Sequence, residues 1–155
     1  MSQNDKQVSA SREIAASAES LFKIVADASF HPVIDGSGTV RSSTGKSEPL
    51  RLGSKFGMNM KMGLPYRLTS TVVEFEQDRR IAWQHPGKHI WRYTFEPLDE
   101  VDGKPRTLVT ETFDWAPSPI KFYIEGFGWP KRHKVNMAKT LEKLDAYVTN
   151  RASAL

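Results

Sequence analysis

Glu111 is the residue whose position in this sequence most clearly suggests chemistry. The segment around it alternates, so its carboxyl group falls on the same strand face as Val109 and Phe113. A carboxyl group on an apolar face loses hydration, and it therefore takes a hydrogen-bonding partner or keeps its proton. The expected strand pairing places Tyr93 opposite Glu111. Glu111 could therefore orient a ligand or act as a general acid/base. The alternative is that it only makes a structural contact with a tyrosine or an arginine.

Two histidines, His85 and His89, flank the predicted turn Pro86-Gly87-Lys88 at one end of a sheet. His85 is the further candidate for proton transfer, beside the carboxyl and phenol groups just described. The four histidines of the chain are scattered, and no pair has a supporting carboxylate on a well-defined element. The sequence therefore predicts no metal site.

Other motifs that carry chemistry are absent from the sequence. There is no cysteine, which excludes disulfides, thiol nucleophiles and thiolate metal sites. There is no glycine-rich phosphate loop, nucleophile elbow or dinucleotide-binding signature, so no cofactor is predicted. His31 and Asp35 fall in a short helical turn, and we expect them to cap and close it.

Length and composition indicate one domain over residues 1–155, with an ordered core over about 8–148. No apolar run is long enough to span a membrane, and Met1–Gln7 lacks the apolar core of a secretory signal. We therefore expect a cytoplasmic protein without an integral membrane segment. The sequence selects no oligomeric state.

The formal net charge is +4, and its densest basic cluster lies near the C-terminus. Helical spacing interrupted by acidic residues indicates a solvated helix face, and nucleic-acid binding is not predicted. An anionic partner for this cluster is the alternative. The cluster consists of Lys131, Arg132, Lys134, Lys139 and Lys143.

The middle of the chain has the period-two pattern of half-buried strands. One run of alternating apolar residues leads to a turn at Gly63-Leu64-Pro65. The alternation changes parity near Val72, and the apolar positions after it are Val73 and Phe75. This change predicts a β-bulge. A second hairpin should place Trp83 opposite Trp91.

Helices are predicted at both ends of this run of strands. Ser17 can cap a first helix, a short second helix begins near Ser29, and a long helix runs over about 131–148 with an apolar stripe. Strand, two helices, six antiparallel strands and a long helix define the α+β class.

This order resembles the START-like helix-grip (SRPBCC) superfamily, and within it the bacterial polyketide cyclase/dehydrase and lipid-transport branch. The resemblance covers about 8–148 and rests on segments including Ser11–Ala16, Phe30-His31-Pro32, Asp35–Gly38, Arg80–Trp83 and Val109–Trp115. It implies a curved antiparallel sheet of about seven strands around the C-terminal helix, with a cavity between them. It implies no shared set of catalytic residues.

The candidate ligand-binding residues are mainly those that periodicity sends to the inward face, and they are rich in aromatic and thioether groups. They are Phe56, Met58, Met60, Leu68, Trp83, Trp91, Tyr93, Glu111, Phe113, Trp129 and Met137. Trp129 lies between Gly128 and Pro130, where it can close one end of a cavity or anchor the helix start at the surface. From periodicity alone, the inward side chains could also simply fill a core.

The leading hypothesis is a protein that binds or carries a hydrophobic small molecule, such as a lipid or a polyketide-like compound. The alternative is a polyketide aromatase/cyclase or related enzyme in which Glu111, with Tyr93 or His85, moves protons in a carbonyl-bearing substrate. A third interpretation is a protein-interaction module that presents the basic C-terminal helix.

Overall fold

The computed structural model describes residues 5–44 and 48–154. Residues 1–4, 45–47 and 155, which belong to the predicted domain, lie outside the described residues. In chain order the elements are β1 (Gln7–Ile14), α1 (Ala18–Val25), a 3-10 turn (Ala28–Phe30), α2 (His31–Ile34), β2 (Val40–Thr44), β3 (Lys55–Met62), β4 (Leu64–Glu76), β5 (Arg80–Gln84), β6 (Ile90–Val101), β7 (Lys104–Asp114), α3 (Lys121–Gly126) and α4 (Trp129–Ala154).

The strands form one curled, fully antiparallel sheet in the order β1-β7-β6-β5-β4-β3-β2. The first strand, β1, pairs with the last strand, β7. The helix α4 packs on both of these strands. The helix lies across the concave face of the sheet. The α+β helix-grip fold predicted from the sequence is confirmed.

Hairpin register sets which side chains face inward. Trp83 pairs with Trp91, as the alternation predicts. The register shift between Val72 and Glu74 confirms the predicted bulge. Val73 was expected to become an inward apolar position, and this is wrong: it is the extra residue of the bulge and is 37% exposed.

The first helix is fixed by its cap and by an aromatic contact. Ser17 Oγ accepts a hydrogen bond from the Ser20 backbone N–H at 3.1 Å, which satisfies one donor at the helix start. Phe22 on the buried face packs edge-on against Phe75 and Phe95, with ring centroids 5.6 Å apart in each pair. This contact anchors α1 against β4 and β6 at the opposite end of the sheet from the Pro86-Gly87-Lys88 turn.

The C-terminal segment differs from the prediction at both ends. The long helix begins at Trp129 and reaches Ala154, beyond the predicted 131–148, and the short helix α3 before it was not predicted. The apolar stripe predicted on the long helix is buried at Met137, Leu141 and Leu144, each at most 1% exposed, and partly buried at its last member, Val148. None of the helices in 5–44 and 48–154 has the length and apolar character needed to cross a bilayer.

The loop after α2 lies directly against α4. A Cβ at Gly36 would stand 2.6 Å from Asn136 O and from Thr140 N, so only glycine fits at this position without a shift of the backbone. The Gly36 N–H donates to Thr140 Oγ1 at 2.9 Å, and Lys143 Nζ donates to the Asp35 carbonyl at 2.8 Å. Two hydrogen bonds and one close approach therefore fix this loop to the middle of the helix.

Candidate functional site

A cavity of about 560 Å³ lies between the concave face of the sheet and α4. Strands β3 to β7, the segment around α2 and the first three turns of α4 all contribute to its wall. Protein cores are normally close-packed, with few voids larger than a water molecule. A cavity of this size therefore argues against the interpretation that the inward side chains only fill a core.

Most of the side chains predicted to face a ligand line this cavity. They are Phe56, Met58, Met60, Leu68, Trp83, Trp91, Tyr93, Glu111, Trp129 and Met137. Phe113 is different: it is fully buried beneath Trp91 and His133, with ring centroids 4.9 and 4.6 Å away, and it does not line the cavity. Its ring packs against the lining residue Trp91.

The cavity also has lining residues that were not among the predicted ligand-binding side chains. They are His31, Ile34, Asp35, Ser37, Thr39, Val40, Met62, Tyr66, Ser70, His85, His89, Arg132, His133, Asn136 and Thr140, of which His85 was considered only for proton transfer. Met62, Tyr66 and Ser70 share the strand alternation that predicted Met58, Met60 and Leu68 on the inward face. The spacing of three and four residues from Trp129 along the helix would have found His133, Asn136 and Thr140.

Glu111 is the buried acid of the cavity wall. It is 5% exposed and pairs across β6 and β7 with Tyr93, whose hydroxyl donates a hydrogen bond to its carboxyl group. Burial raises the pKa of Glu111 to about 8; the Tyr93 hydrogen bond opposes this rise, and the negative charge of Asp35 adds to it. Its Oε2 has no hydrogen-bond partner among the described residues. At neutral pH the site therefore holds a protonated carboxylic acid beside a phenol.

Tyr93 responds to the same environment. It is 4% exposed, and burial, followed by the neighbouring Glu111, raises its pKa well above the ordinary value for tyrosine. The phenol therefore keeps its proton throughout the physiological range and acts in the site as a hydrogen-bond donor.

His31 has a different role from the one expected. Its ring does not cap the turn: Nε2 donates to the Val25 carbonyl at 2.8 Å, and the ring stacks on Trp83 with centroids 4.8 Å apart. Burial lowers its pKa, so it forms part of the wall as a neutral ring. Asp35 does close the turn, since its carboxylate accepts from Ser37 Oγ at 2.8 Å and from the Val40 N–H at 3.2 Å.

Three histidines come together at the mouth of the cavity, and we call them the mouth histidines: His85, His89 and His133. The rings of His85 and His89 stack with centroids 4.9 Å apart across the β5–β6 turn. His133 arrives from α4 and packs edge-on against Trp91, with centroids 4.9 Å apart. The sequence placed the first two at a turn, but only the packing of α4 on the sheet brings in the third.

The mouth histidines are neutral bases at physiological pH. Burial, with the neighbouring histidines adding to it, lowers the pKa of His85 to about 3. Burial lowers the pKa of His89 to about 4, and burial with the nearby His89 and Arg132 lowers that of His133 to about 4. No three His, Cys, Asp or Glu side chains in the described ranges are arranged to hold a metal ion.

Comparison with protein families gives a match over almost the whole chain. Residues 5–149 match the family described as polyketide cyclase/dehydrase and lipid transport. The uncharacterized protein Rv0088 of Mycobacterium tuberculosis is 43% identical over 153 residues, an alignment that covers 94% of this chain and 66% of that protein. The chain thus spans about two thirds of the length of this relative.

Solved structures show the same fold at low sequence identity. Protein Ms6760 of Mycobacterium smegmatis has a TM-score of 0.67 at 18% identity, covering 96% of this chain and 95% of its own. A START superfamily protein from the same organism has a TM-score of 0.62 at 21% identity, covering 92% and 98%. The Polyketide_cyc-like protein Cgl2372 of Corynebacterium glutamicum has a TM-score of 0.61 at 19% identity, covering 94% and 93%.

Proposed function

The chain belongs to the polyketide cyclase/dehydrase and lipid transport family, and we propose that it binds an apolar small molecule, lipid or polyketide-like in character, between its sheet and α4. The observation that carries the proposal is the cavity of about 560 Å³, with a wall of aromatic and methionine side chains. Its volume falls within the range of about 300 to 1,000 Å³ that is typical of small-molecule sites.

The composition of the wall matches a hydrophobic guest. Burying about 250 Å² of apolar ligand surface contributes about 6 kcal/mol before the costs of association. Methionines such as Met58 and Met60 adapt to irregular shapes, while Trp83 and Trp91 provide flat, rigid surfaces. The Glu111 and Tyr93 pair offers the guest polar contacts deep in the wall, which would orient a molecule with one polar group.

Filling the cavity should weaken binding. Met58 is 5% exposed and lines the cavity, so Met58→Trp places a bulky indole in the space for the guest. We expect the affinity for the uncharged fluorescent probe phenylnaphthylamine to fall about tenfold or more. The matched control is Val101→Trp, at an exposed position on β6 outside the cavity, which should bind as the parent does. Equal affinity in Met58→Trp and the parent would disprove the proposal.

A second candidate function is favoured by one observation, the pKa of Glu111 at about 8 beside a buried phenol. A carboxylic acid that titrates near neutrality is suited to give a proton to a substrate carbonyl and, once ionised, to take one from carbon. In this alternative the protein is an aromatase/cyclase or related enzyme. His85, with its pKa lowered to about 3, is too weak a base for a leading part, so the chemistry would rest on Glu111 and Tyr93.

Glu111→Gln separates the two functions. It keeps the shape of the side chain and much of its hydrogen bonding, so the affinity for phenylnaphthylamine should change by less than about tenfold. If Glu111 transfers protons, product formation from a short poly-β-ketone, followed by chromatography, should fall about a hundredfold. No turnover by the parent protein, or equal turnover by the variant, would remove the enzymatic alternative.

A further inference from the structure

The apolar side chains that this fold leaves exposed are concentrated at one end. Successive turns of an antiparallel run of strands alternate between the two ends of the sheet. The β3–β4 turn at Gly63 and the β5–β6 turn at Gly87 therefore share one end, and the turns at Asp78 and Asp102 share the other. Met62 and Leu64, on either side of Gly63, are 56% and 79% exposed.

The short helix α3 adds aromatic side chains at the same end. A Cβ at Gly87 would lie 3.6 Å from Ile120 Cδ1, which places the start of α3 beside the β5–β6 turn. Phe122 and Tyr123 are 82% and 60% exposed, and Phe127, just after the helix, is 64% exposed. Exposed apolar patches of this kind mark interaction surfaces.

The cavity opens at this end. Met62 and Arg132 line it from opposite sides, the first on the β3–β4 hairpin and the second on α4. Trp129 also lines the cavity, and its ring stacks on Phe127 with centroids 5.7 Å apart. We call the surface formed by Met62, Leu64, Phe122, Tyr123 and Phe127, with the cations around them, the mouth face.

The mouth face is predominantly basic. Its three segments, residues 61–67, 85–89 and 119–135, contain a single acidic residue, Glu125, which pairs with Lys6. The cations Lys88, Lys131, Arg132 and Lys134 are all exposed. The opposite end carries both signs, with Asp78 and Asp102 in its turns.

We propose that the mouth face docks on an anionic lipid bilayer, with its exposed aromatic and aliphatic side chains at the depth of the headgroups. Apolar side chains surrounded by lysine and arginine are the combination that interfacial membrane binding requires. Lysine is depleted in interfaces between proteins, so its abundance here favours a lipid surface over a protein partner. Docking in this orientation turns the cavity mouth toward the membrane.

Sedimentation with lipid vesicles tests the proposal. We expect the protein to bind vesicles of about three parts phosphatidylcholine to one part phosphatidylglycerol, and phosphatidylcholine alone at least about tenfold more weakly. Binding should fall steeply between about 0.1 M and about 1 M salt, because the screening length shortens from about 10 Å to about 3 Å. Absence of binding to the anionic vesicles at low salt would overturn the proposal.

Two double variants and a matched control identify the surface. Phe122→Ser with Tyr123→Ser, and Lys131→Glu with Lys134→Glu, should each lower binding to the anionic vesicles about tenfold or more. The control, Val101→Ser with Lys104→Glu at the opposite end, should bind as the parent does. Parental binding by both double variants would overturn the proposal, as would loss of binding in the control.

Two further measurements separate docking from its alternatives. None of the substituted residues lines the cavity, so the affinity for phenylnaphthylamine should be the same in every variant. This measurement therefore distinguishes a loss of vesicle docking from a loss of binding in the cavity. Analytical ultracentrifugation reports self-association. A dimer that Phe122→Ser with Tyr123→Ser dissociates, without vesicle binding by the parent, would identify the occupant of the mouth face as a second copy of the chain and overturn docking on lipid.

Discussion

Acidification from about pH 7.5 to about pH 5 is expected to destabilise this protein by about 6 kcal/mol. The mouth histidines cause the loss. In the folded protein the pKa values of His85, His89 and His133 are lowered to about 3, 4 and 4, whereas in the unfolded chain they return to about 6.5. Between these values the unfolded chain binds more protons than the folded one, so stability is complete above about pH 6.5 and falls as the pH falls.

The size of this effect follows from the three sites together. Each contributes about 2 kcal/mol at about pH 5, and the whole free energy of unfolding of a domain is only about 5 to 15 kcal/mol. Urea unfolding at pH values from about 7.5 to about 5 measures the loss, and the double variant His85→Gln with His89→Gln should retain only about a third of it. A pH dependence in the double variant as steep as that of the parent would show that other groups are responsible.

At alkaline pH, Glu111→Gln is expected to be more stable than the parent by about 5 kcal/mol near pH 9. Burial raises the pKa of Glu111 to about 8 in the folded protein, against about 4.3 in the unfolded chain. Between these values the folded protein binds the extra proton, so its stability falls as the pH rises. A glutamine has no proton to lose, and the advantage of the variant should grow from nearly zero at about pH 4 to its full value above about pH 8.

Chemical unfolding of both proteins across this pH range measures the difference. The matched control is Glu96→Gln on the exposed face of β6, which removes a carboxylate that is not in the cavity wall and should change the unfolding free energy by less than about 0.5 kcal/mol. A constant offset between Glu111→Gln and the parent at every pH would contradict a buried, protonated Glu111.

The strands were predictable because their pattern is local. Alternation over β3 to β7 fixed the pairing of Trp83 with Trp91 and of Tyr93 with Glu111, and the change of parity near Val72 revealed the bulge. Successive side chains of a strand point to opposite faces of the sheet, so an apolar residue at every second position indicates which face is buried. The same rule could not tell which residue of a bulge points outward, so Val73 was placed on the wrong face.

The missed features depend on contacts between distant parts of the chain. His31 was interpreted as a local cap, but its ring stacks on Trp83, and no pattern within α2 contains that contact. His133 joins the histidines of the β5–β6 turn only because α4 crosses the sheet. The six-residue α3 is too short for a helical period, and its exposed Phe122 gives no apolar stripe to find.

The close approach of Gly36 to α4 has a mechanical consequence. The loop after α2 and the middle of the helix are joined by the Gly36 and Lys143 hydrogen bonds, with no room for a side chain between them, so they move as one body. Gly128, at a φ of 71°, joins α3 to α4 directly before the cavity-lining Trp129, and a glycine in this conformation permits a hinge there. A substitution that stiffens this corner, while the Gly36 side stays fixed, is expected to slow guest exchange and prolong residence.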